Sequence, residues 1–175
     1  MDILERGLAA GWWRISLRGP FEAGPGGFSW SLDHGDAGVP AAAFRPAAGA
    51  LREWVKAAPV SPDLPLVLVG FSQGAALAFA SVGERLVRPA GLAVLAGFLP
   101  PGITASAFVG VPIFWSHGLR DDRVPVDRAR GEAALLEQTG ARVTYCEADV
   151  GHKVGLTCVR GLRTWLADLE RASGA

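Results

Sequence analysis

The chain has 175 residues, of which 50% are hydrophobic and 19% are charged. This length and apolar content are typical of a single folded domain over residues 1–175 and exclude a disordered chain. Seventeen basic residues balance seventeen acidic residues and do not cluster along the sequence, so we expect no nucleic-acid partner.

The sequence contains no segment that suggests export or membrane insertion. Residues 1–14 carry acidic side chains early and have no uninterrupted apolar core, which is unlike a signal peptide. No run of about 18 apolar residues occurs, so we expect no integral membrane segment and a cytoplasmic location. Cys146 and Cys158 are too few for a disulfide framework, and we expect two small, buried, unpaired thiols.

Short apolar runs predict five β-strands. In chain order they are Trp13–Leu17, Leu66–Gly70, Leu92–Ala96, Pro112–Ser116 and Ala141–Cys146. The second and third runs are apolar on both faces, as expected of parallel strands that are covered by helices on two sides.

Longer, Ala-rich segments between these runs predict helices. They are Pro40–Lys56, Gln73–Val87, Asp127–Gln138 and Val154–Arg171. Strands that alternate with helices at this spacing predict an α/β fold with a mostly parallel sheet covered by helices on both faces. Ligands of such sheets bind at the carboxyl ends of the strands, so we expect the functional residues there.

The segment Gly70-Phe71-Ser72-Gln73-Gly74 follows the second predicted strand. A G-x-S-x-G pattern between an apolar strand and an Ala-rich helix is typical of a nucleophile elbow, in which a strained turn exposes a serine hydroxyl. The alternative is a tight glycine turn with an incidental serine. We predict Ser72 as the nucleophile and the Gln73 backbone N–H as an oxyanion donor, so the Gln73 side chain is not expected to matter.

A serine nucleophile needs a base, and the sequence offers three histidines. His152 follows the last predicted strand and precedes the last helix, which is where the base stands if the chain order is Ser, acid, His. His34 lies in a Gly/Asp-rich segment, which predicts that it is an exposed loop residue. His117 ends its predicted strand and is interpreted as structural.

The base needs an orienting carboxylate, and two candidates stand side by side. Asp121 and Asp122 follow the fourth predicted strand, and adjacent side chains in a loop diverge, so only one of them should face His152. Spacing alone does not separate them. The other should pair with a neighbouring arginine or cap the next helix. Asp149, three residues before His152, is a third candidate, although it better fits a turn.

Three segments together resemble a known family. Residues 70–80 (GFSQGAALAFA), 117–125 (HGLRDDRVP) and 151–154 (GHKV) are similar to motifs of serine carboxylesterases related to acyl-protein thioesterases and lysophospholipases, in the α/β-hydrolase superfamily. The resemblance covers about residues 12–170. It implies Asp121 as the acid and His152 as the base.

Weaker similarities concern the substrate pocket. Residues 24–30 (GPGGFSW) resemble a segment that lines the acyl site of the family, and residues 95–100 (LAGFLP) resemble the segment after the next strand. The pocket that we predict comprises Phe28, Trp30, Phe71 and Leu99.

The sequence departs from the family at its beginning. Family members start with a strand that ends in an H-G-x-G-like loop, which supplies the second oxyanion donor, and residues 1–11 do not match it. The resemblance therefore implies an α/β-hydrolase-like sheet that lacks this strand, with a slot one strand wide between residues 13–17 and 66–70. We expect about 25–40 further residues upstream of Met1, the alternative being a fold that closes the gap within the chain. Without those residues we expect a weak esterase that is poorly soluble or oligomeric.

The predicted function is hydrolysis of carboxylic esters with short to medium acyl chains through an acyl-enzyme. It implies a small-molecule ester as partner, no metal and no organic cofactor. A homodimer is one of the assemblies that we consider. One alternative is a degenerate, non-catalytic hydrolase that acts as a binding module, which the missing strand favours. Another is a dienelactone-hydrolase-like or peptidase-like enzyme. A flavodoxin-like phosphate loop is disfavoured, because GFSQG lacks the lysine of such loops.

Overall fold

Four of the five predicted strands form one parallel sheet. A computed structural model describes residues 12–33, 38–61 and 63–173. The strands of this sheet are β3 at Val67–Phe71, β4 at Gly91–Leu95, β5 at Pro112–Gly118 and β6 at Arg142–Ala148, and β1 and β2 form a separate hairpin described below. The four strands lie in the order β3-β4-β5-β6, and every neighbouring pair is parallel. The predicted α/β fold is confirmed.

All four predicted helices are present, with small shifts of their ends. They are α1 at Arg45–Ala57, α2 at Gln73–Gly83, α3 at Val126–Gln138 and α4 at Leu156–Ala172, and 3₁₀ turns cover Ala41–Phe44 and Ala105–Phe108. The predicted end of α2 at Val87 is wrong. The helix stops four residues earlier, at Gly83. Arg85 then takes a positive φ of 57°, and Pro89 follows, which cannot continue a helix.

The strands bury side chains on both faces of the sheet. Leu92 and Val94 of β4 belong to one buried cluster with side chains of α1, α2 and α3, whereas Ala93 and Leu95 belong to another with Leu162, Trp165 and Leu166 of α4. The period of two along a strand places these residues on opposite faces. Helices therefore cover both faces, as the apolar runs predict.

The predicted strand at Trp13–Leu17 is wrong. The structure has no regular secondary structure at these residues, and Trp13 and Ile15 are exposed. A strand requires a neighbour that accepts and donates backbone hydrogen bonds, and none of the described residues forms a strand beside this segment. Among the described residues no strand pairs with the free side of β3, and the predicted slot between two strands stays a prediction.

A short hairpin precedes the sheet and was not predicted. Phe21–Glu22 (β1) and Phe28–Ser29 (β2) pair antiparallel. Gly24 and Gly26 in the connecting turn have φ values of 82° and 71°, which glycine adopts without the steric cost that a side chain would bring. The hairpin fixes the segment that runs on to Trp30.

Cys146 and Cys158 are joined by a disulfide bond, so the expectation of two unpaired thiols is wrong. Cys146 lies on β6 and Cys158 in the first turns of α4, and packing of α4 against the sheet brings them together. The bond closes the segment that carries His152. Disulfides are rare in reducing compartments, and the cytoplasmic location stays a prediction. None of the helices in the described part of the chain is long and apolar enough to cross a bilayer.

Reduction of this disulfide is expected to destabilise the protein. The two cysteines are 12 residues apart, and constraining an unfolded loop of this size contributes about 3 kcal/mol to the free energy of unfolding. Urea denaturation of the oxidised protein, with and without a thiol reductant, measures this difference. The double variant Cys146→Ser/Cys158→Ser is the control and should not respond to the reductant. Two titratable thiols in the native, unreduced protein would contradict the bond.

Candidate active site

Ser72 stands on a sharp turn between β3 and α2. Its φ of 51° and ψ of −118° lie outside the regions that L-residues favour. Its N–H donates to Leu95 O at 2.9 Å, which ties the turn to β4. A Cβ at Gly70 would collide with the backbone of Gly74 and Ala75, so this close approach requires glycine. The structure thus builds the strand–turn–helix that the G-x-S-x-G segment predicts.

Asp121 lies in the loop that follows β5, and its side chain is fully buried. Oδ1 accepts hydrogen bonds from the N–H groups of Arg123 and Val124, at 3.0 and 2.9 Å. The carboxylate therefore closes the turn of its own loop and has a fixed orientation.

His152 lies in the loop between β6 and α4. Arg120 N–H donates to Val150 O at 2.9 Å, which joins this loop to the loop of Asp121. A Cβ at Gly118 would collide with the carbonyl oxygens of Val150 and Gly151, so only glycine allows the two loops to approach this closely.

The structure brings the three predicted residues together. His152 Nδ1 lies 2.8 Å from Asp121 Oδ2 and 3.0 Å from Oδ1, and His152 Nε2 lies 2.9 Å from Ser72 Oγ. Because the carboxylate can only accept, Nδ1 carries the ring hydrogen, and the serine hydroxyl then donates to Nε2. This geometry allows His152 to remove the Ser72 proton.

Competing effects act on the pKa of Asp121. Burial raises the pKa of this carboxyl group, because it disfavours the charged form. Hydrogen bonds from Val124 N–H, the His152 ring and Arg123 N–H favour the carboxylate and outweigh burial, so the pKa is lowered. The carboxylate is therefore negative at neutral pH and can stabilise a protonated His152.

The backbone N–H groups at the amino terminus of α2 lie next to Ser72. The helix begins at Gln73, and the first N–H groups of a helix have no intrahelical acceptor and lie at the positive end of its dipole. The Gln73 N–H can therefore donate to an oxygen that gains negative charge beside Ser72.

The side chain of Gln73 has a role that the sequence did not indicate. Its Oε1 accepts a hydrogen bond from Trp30 N–H at 2.7 Å and lies 2.9 Å from the Ser29 hydroxyl. It thus ties the segment after the β1–β2 hairpin to the elbow. No signal in one sequence predicts this contact, because the partners are 43 and 44 residues apart.

The four residues of the predicted pocket have different surroundings. The Phe71 ring lies beside the His152 ring, tilted by 59° with 5.0 Å between ring centroids, and Trp30 packs on the cluster of α1 and α2. Phe28 is half exposed and lies beneath the Arg18 guanidinium. Leu99 is buried in the core. Their contribution to a substrate pocket stays a prediction.

The remaining candidates are placed away from the reacting atoms or outside the described residues. Asp122 is exposed, and the exposed Asp149 pairs with Arg120 at 2.7 Å. His117 is buried at the end of β5, whereas His34 lies outside the described residues. In the described part of the chain, no group of three or more His, Cys, Asp or Glu side chains could hold a metal ion.

A groove of about 570 Å³ opens elsewhere on the molecule, beside the start of β3. Trp12, Trp13, Trp54 and Leu64 contribute to its largely apolar lining, and none of the predicted site residues lines it. It is therefore separate from the candidate active site.

Comparison with known proteins shows which sequences this chain is similar to. The phospholipase/carboxylesterase family profile matches residues 36–169. A probable carboxylesterase of Oryza sativa subsp. japonica is 30% identical over 118 residues, which are 64% of this chain and 44% of that protein. Acyl-protein thioesterase 1 of Debaryomyces hansenii is 30% identical over 105 residues, which are 55% of this chain and 45% of that protein. The matched part thus spans about half the length of these relatives.

Solved structures share the fold. The Bacillus cereus carboxylesterase superposes with a TM-score of 0.76 at 18% identity, over 87% of this chain and 73% of that one. The carboxylesterase from Mesorhizobium loti gives a TM-score of 0.73 at 21% identity, over 86% and 73%. The family profile covers most of the chain, and the parallel sheet with its helices matches α/β-hydrolase structures. The chain belongs to the phospholipase/carboxylesterase family of α/β-hydrolases.

Proposed function

We propose that this chain is a serine hydrolase that cleaves carboxylic esters with short to medium acyl chains through an acyl-enzyme. The observation that supports the proposal is the chain of hydrogen bonds from Ser72 Oγ through His152 to the Asp121 carboxylate, with distances of 2.9 and 2.8 Å. Activation of a serine hydroxyl requires this geometry.

The first half of the reaction forms the acyl-enzyme. Ser72 Oγ bonds to the ester carbonyl carbon while His152 Nε2 takes the hydroxyl proton. The Gln73 N–H donates to the oxyanion, and Asp121 stabilises the protonated ring of His152. The carbon–oxygen bond to the alcohol then breaks, and His152 returns its proton to the leaving alkoxide.

The second half releases the acid. Water enters beside His152, which takes a proton from it, and the resulting hydroxide bonds to the acyl carbon. The bond to Ser72 Oγ breaks and the serine recovers the proton from His152. The residues are then in their starting state, and one ester and one water have become an acid and an alcohol.

A fluorophosphonate probe, which reacts with activated serines, tests this proposal together with an activity assay. We expect the probe to label Ser72, identified by mass spectrometry of the modified peptide, and we expect turnover of p-nitrophenyl acetate and butyrate. An aliphatic thioester and a lysophospholipid are assayed in parallel to define the substrate class. Ser106→Ala, which removes an exposed serine, is the control and should behave as the unaltered chain.

The alternatives give different results. A non-catalytic binding module leaves Ser72 unlabelled and all substrates intact, which would refute the proposal. Labelling of Ser72 with turnover of a dienelactone or a peptide, but not of simple esters, would retain the nucleophile and change the substrate class.

A further inference from the structure

His117 is a buried polar side chain that the proposed mechanism does not use. It is the penultimate residue of β5 and is 1% exposed. A polar ring in such a position needs a hydrogen-bond partner to offset its lost hydration. Nε2 lies 2.8 Å from the carbonyl oxygen of Val124, and because a carbonyl can only accept, Nε2 carries the ring hydrogen.

Val124 connects this ring to the Asp121 carboxylate. Its carbonyl accepts from His117 Nε2, while its N–H donates to Asp121 Oδ1 at 2.9 Å. The side chain of Val124 is also buried, at 2% exposure. The carbonyl of Val124 is thus held by His117, and the N–H of Val124 in turn holds the carboxylate of Asp121.

The orientation of the Asp121 carboxylate in turn fixes the orientation of the His152 ring. The carboxylate holds His152 Nδ1 through Oδ2 at 2.8 Å, while His117 Nε2 lies 3.5 Å from the same Oδ2 without a hydrogen bond to it. The two rings therefore stand on either side of one carboxylate. Only His152 bonds to it directly, and His117 acts through Val124.

We propose that His117 is a positioning residue, whose hydrogen bond to Val124 O holds the loop of Asp121 and thereby aligns His152 with Ser72. Without the donor, the buried Val124 carbonyl loses its partner, and the loop of residues 119–125 can move the carboxylate away from His152. Displacements of about 1 Å at such groups lower turnover by about a hundredfold. This role rests on the proposed esterase function.

A matched pair of variants, with a third in reserve, tests the role. His117→Gln keeps an amide donor near the position of Nε2, whereas His117→Leu has a similar size and no donor. We expect His117→Leu to lower kcat for p-nitrophenyl butyrate by about tenfold to a hundredfold with an unchanged KM, and His117→Gln to retain most of it. If His117→Leu does not fold, His117→Asn replaces it, since its shorter amide does not reach Val124 O.

The pH dependence of kcat/KM separates positioning from simple packing. A displaced carboxylate stabilises the protonated His152 ring less, so the acid-side midpoint of the profile should move to lower pH in His117→Leu and stay in place in His117→Gln. Electrostatic interaction with His117 favours the charged form of two other carboxyl groups, those of Glu132 of α3 and Glu147 of β6. Both are paired, with Arg128 and Arg130, and neither is altered in these variants.

A readout without turnover keeps this role distinct from the esterase function. The Nδ1–H proton of His152, observed by NMR of protein with ¹⁵N-labelled histidine, should shift or broaden in His117→Leu even if the unaltered chain hydrolyses no ester. A folded His117→Leu or His117→Asn variant with an unchanged His152 proton signal would overturn the role. In an active enzyme, an unchanged kcat and acid-side midpoint would overturn it too, as would a loss confined to KM or thermal stability.

Discussion

Ser72→Ala is expected to abolish ester hydrolysis. The variant removes the hydroxyl oxygen that is proposed to bond to the carbonyl carbon, and loss of the serine or histidine of such a triad lowers kcat by about 10⁶-fold in the subtilisin example. His152→Ala should cause a comparable loss, because Ser72 Oγ then has no acceptor for its proton at 2.9 Å. Initial rates with p-nitrophenyl butyrate measure both effects.

The double variant makes this expectation sharper. Residues that act as one unit are not additive, so Ser72→Ala/His152→Ala should lose no more activity than either single variant. Ser106→Ala is the matched control. Residual turnover of Ser72→Ala close to that of the unaltered chain would show that another group carries the reaction.

Asp121→Asn is expected to lower kcat by about 10⁴-fold, as in the serine protease triad. The asparagine oxygen can keep the hydrogen bonds from Val124 N–H and Arg123 N–H, which leaves its amide group to face His152 Nδ1. An amide donates, so Nδ1 must accept, and the ring hydrogen moves to Nε2. In that tautomer His152 cannot take the proton of Ser72.

Asp122→Asn is the matched control, because it makes the same chemical change one residue away on an exposed side chain. It should change kcat little. Steady-state kinetics of the two variants with one ester measure the contrast. Equal losses in both would mean that the carboxylate of Asp121 is not the one that orients the base.

The central strands and the candidate site could be predicted because each depends on a local pattern. Buried parallel strands are continuous apolar runs, and the structure places β3 to β5 within two residues of the predicted bounds at each end. The carboxyl ends of the parallel strands β3 to β6 share one edge of the sheet, so Ser72, Asp121 and His152 could be expected together from their order alone. Spacing did not separate Asp121 from Asp122, and the resemblance to the family favoured Asp121.

The features that could not be predicted depend on distant partners. Residues 13–17 have an apolar pattern of a strand, but a strand also needs a neighbour, which the pattern does not reveal. The pairing of Cys146 with Cys158 depends on how α4 packs against β6. The contact of Gln73 with Trp30 joins residues 43 apart. Each of these exists only once the tertiary structure has formed.

The backbone contact at Gly118 has a consequence for the energetics of turnover. Because the loops of Asp121 and His152 touch through their main chains, the separation of the proposed acid and base is set by the fold and not by mobile side chains. The dipoles that would stabilise charge on His152 are then preorganised before a substrate binds. The reorganisation energy of this pair is therefore supplied once, by folding, and not in each catalytic cycle. Each ester then needs only to place its carbonyl group over Ser72.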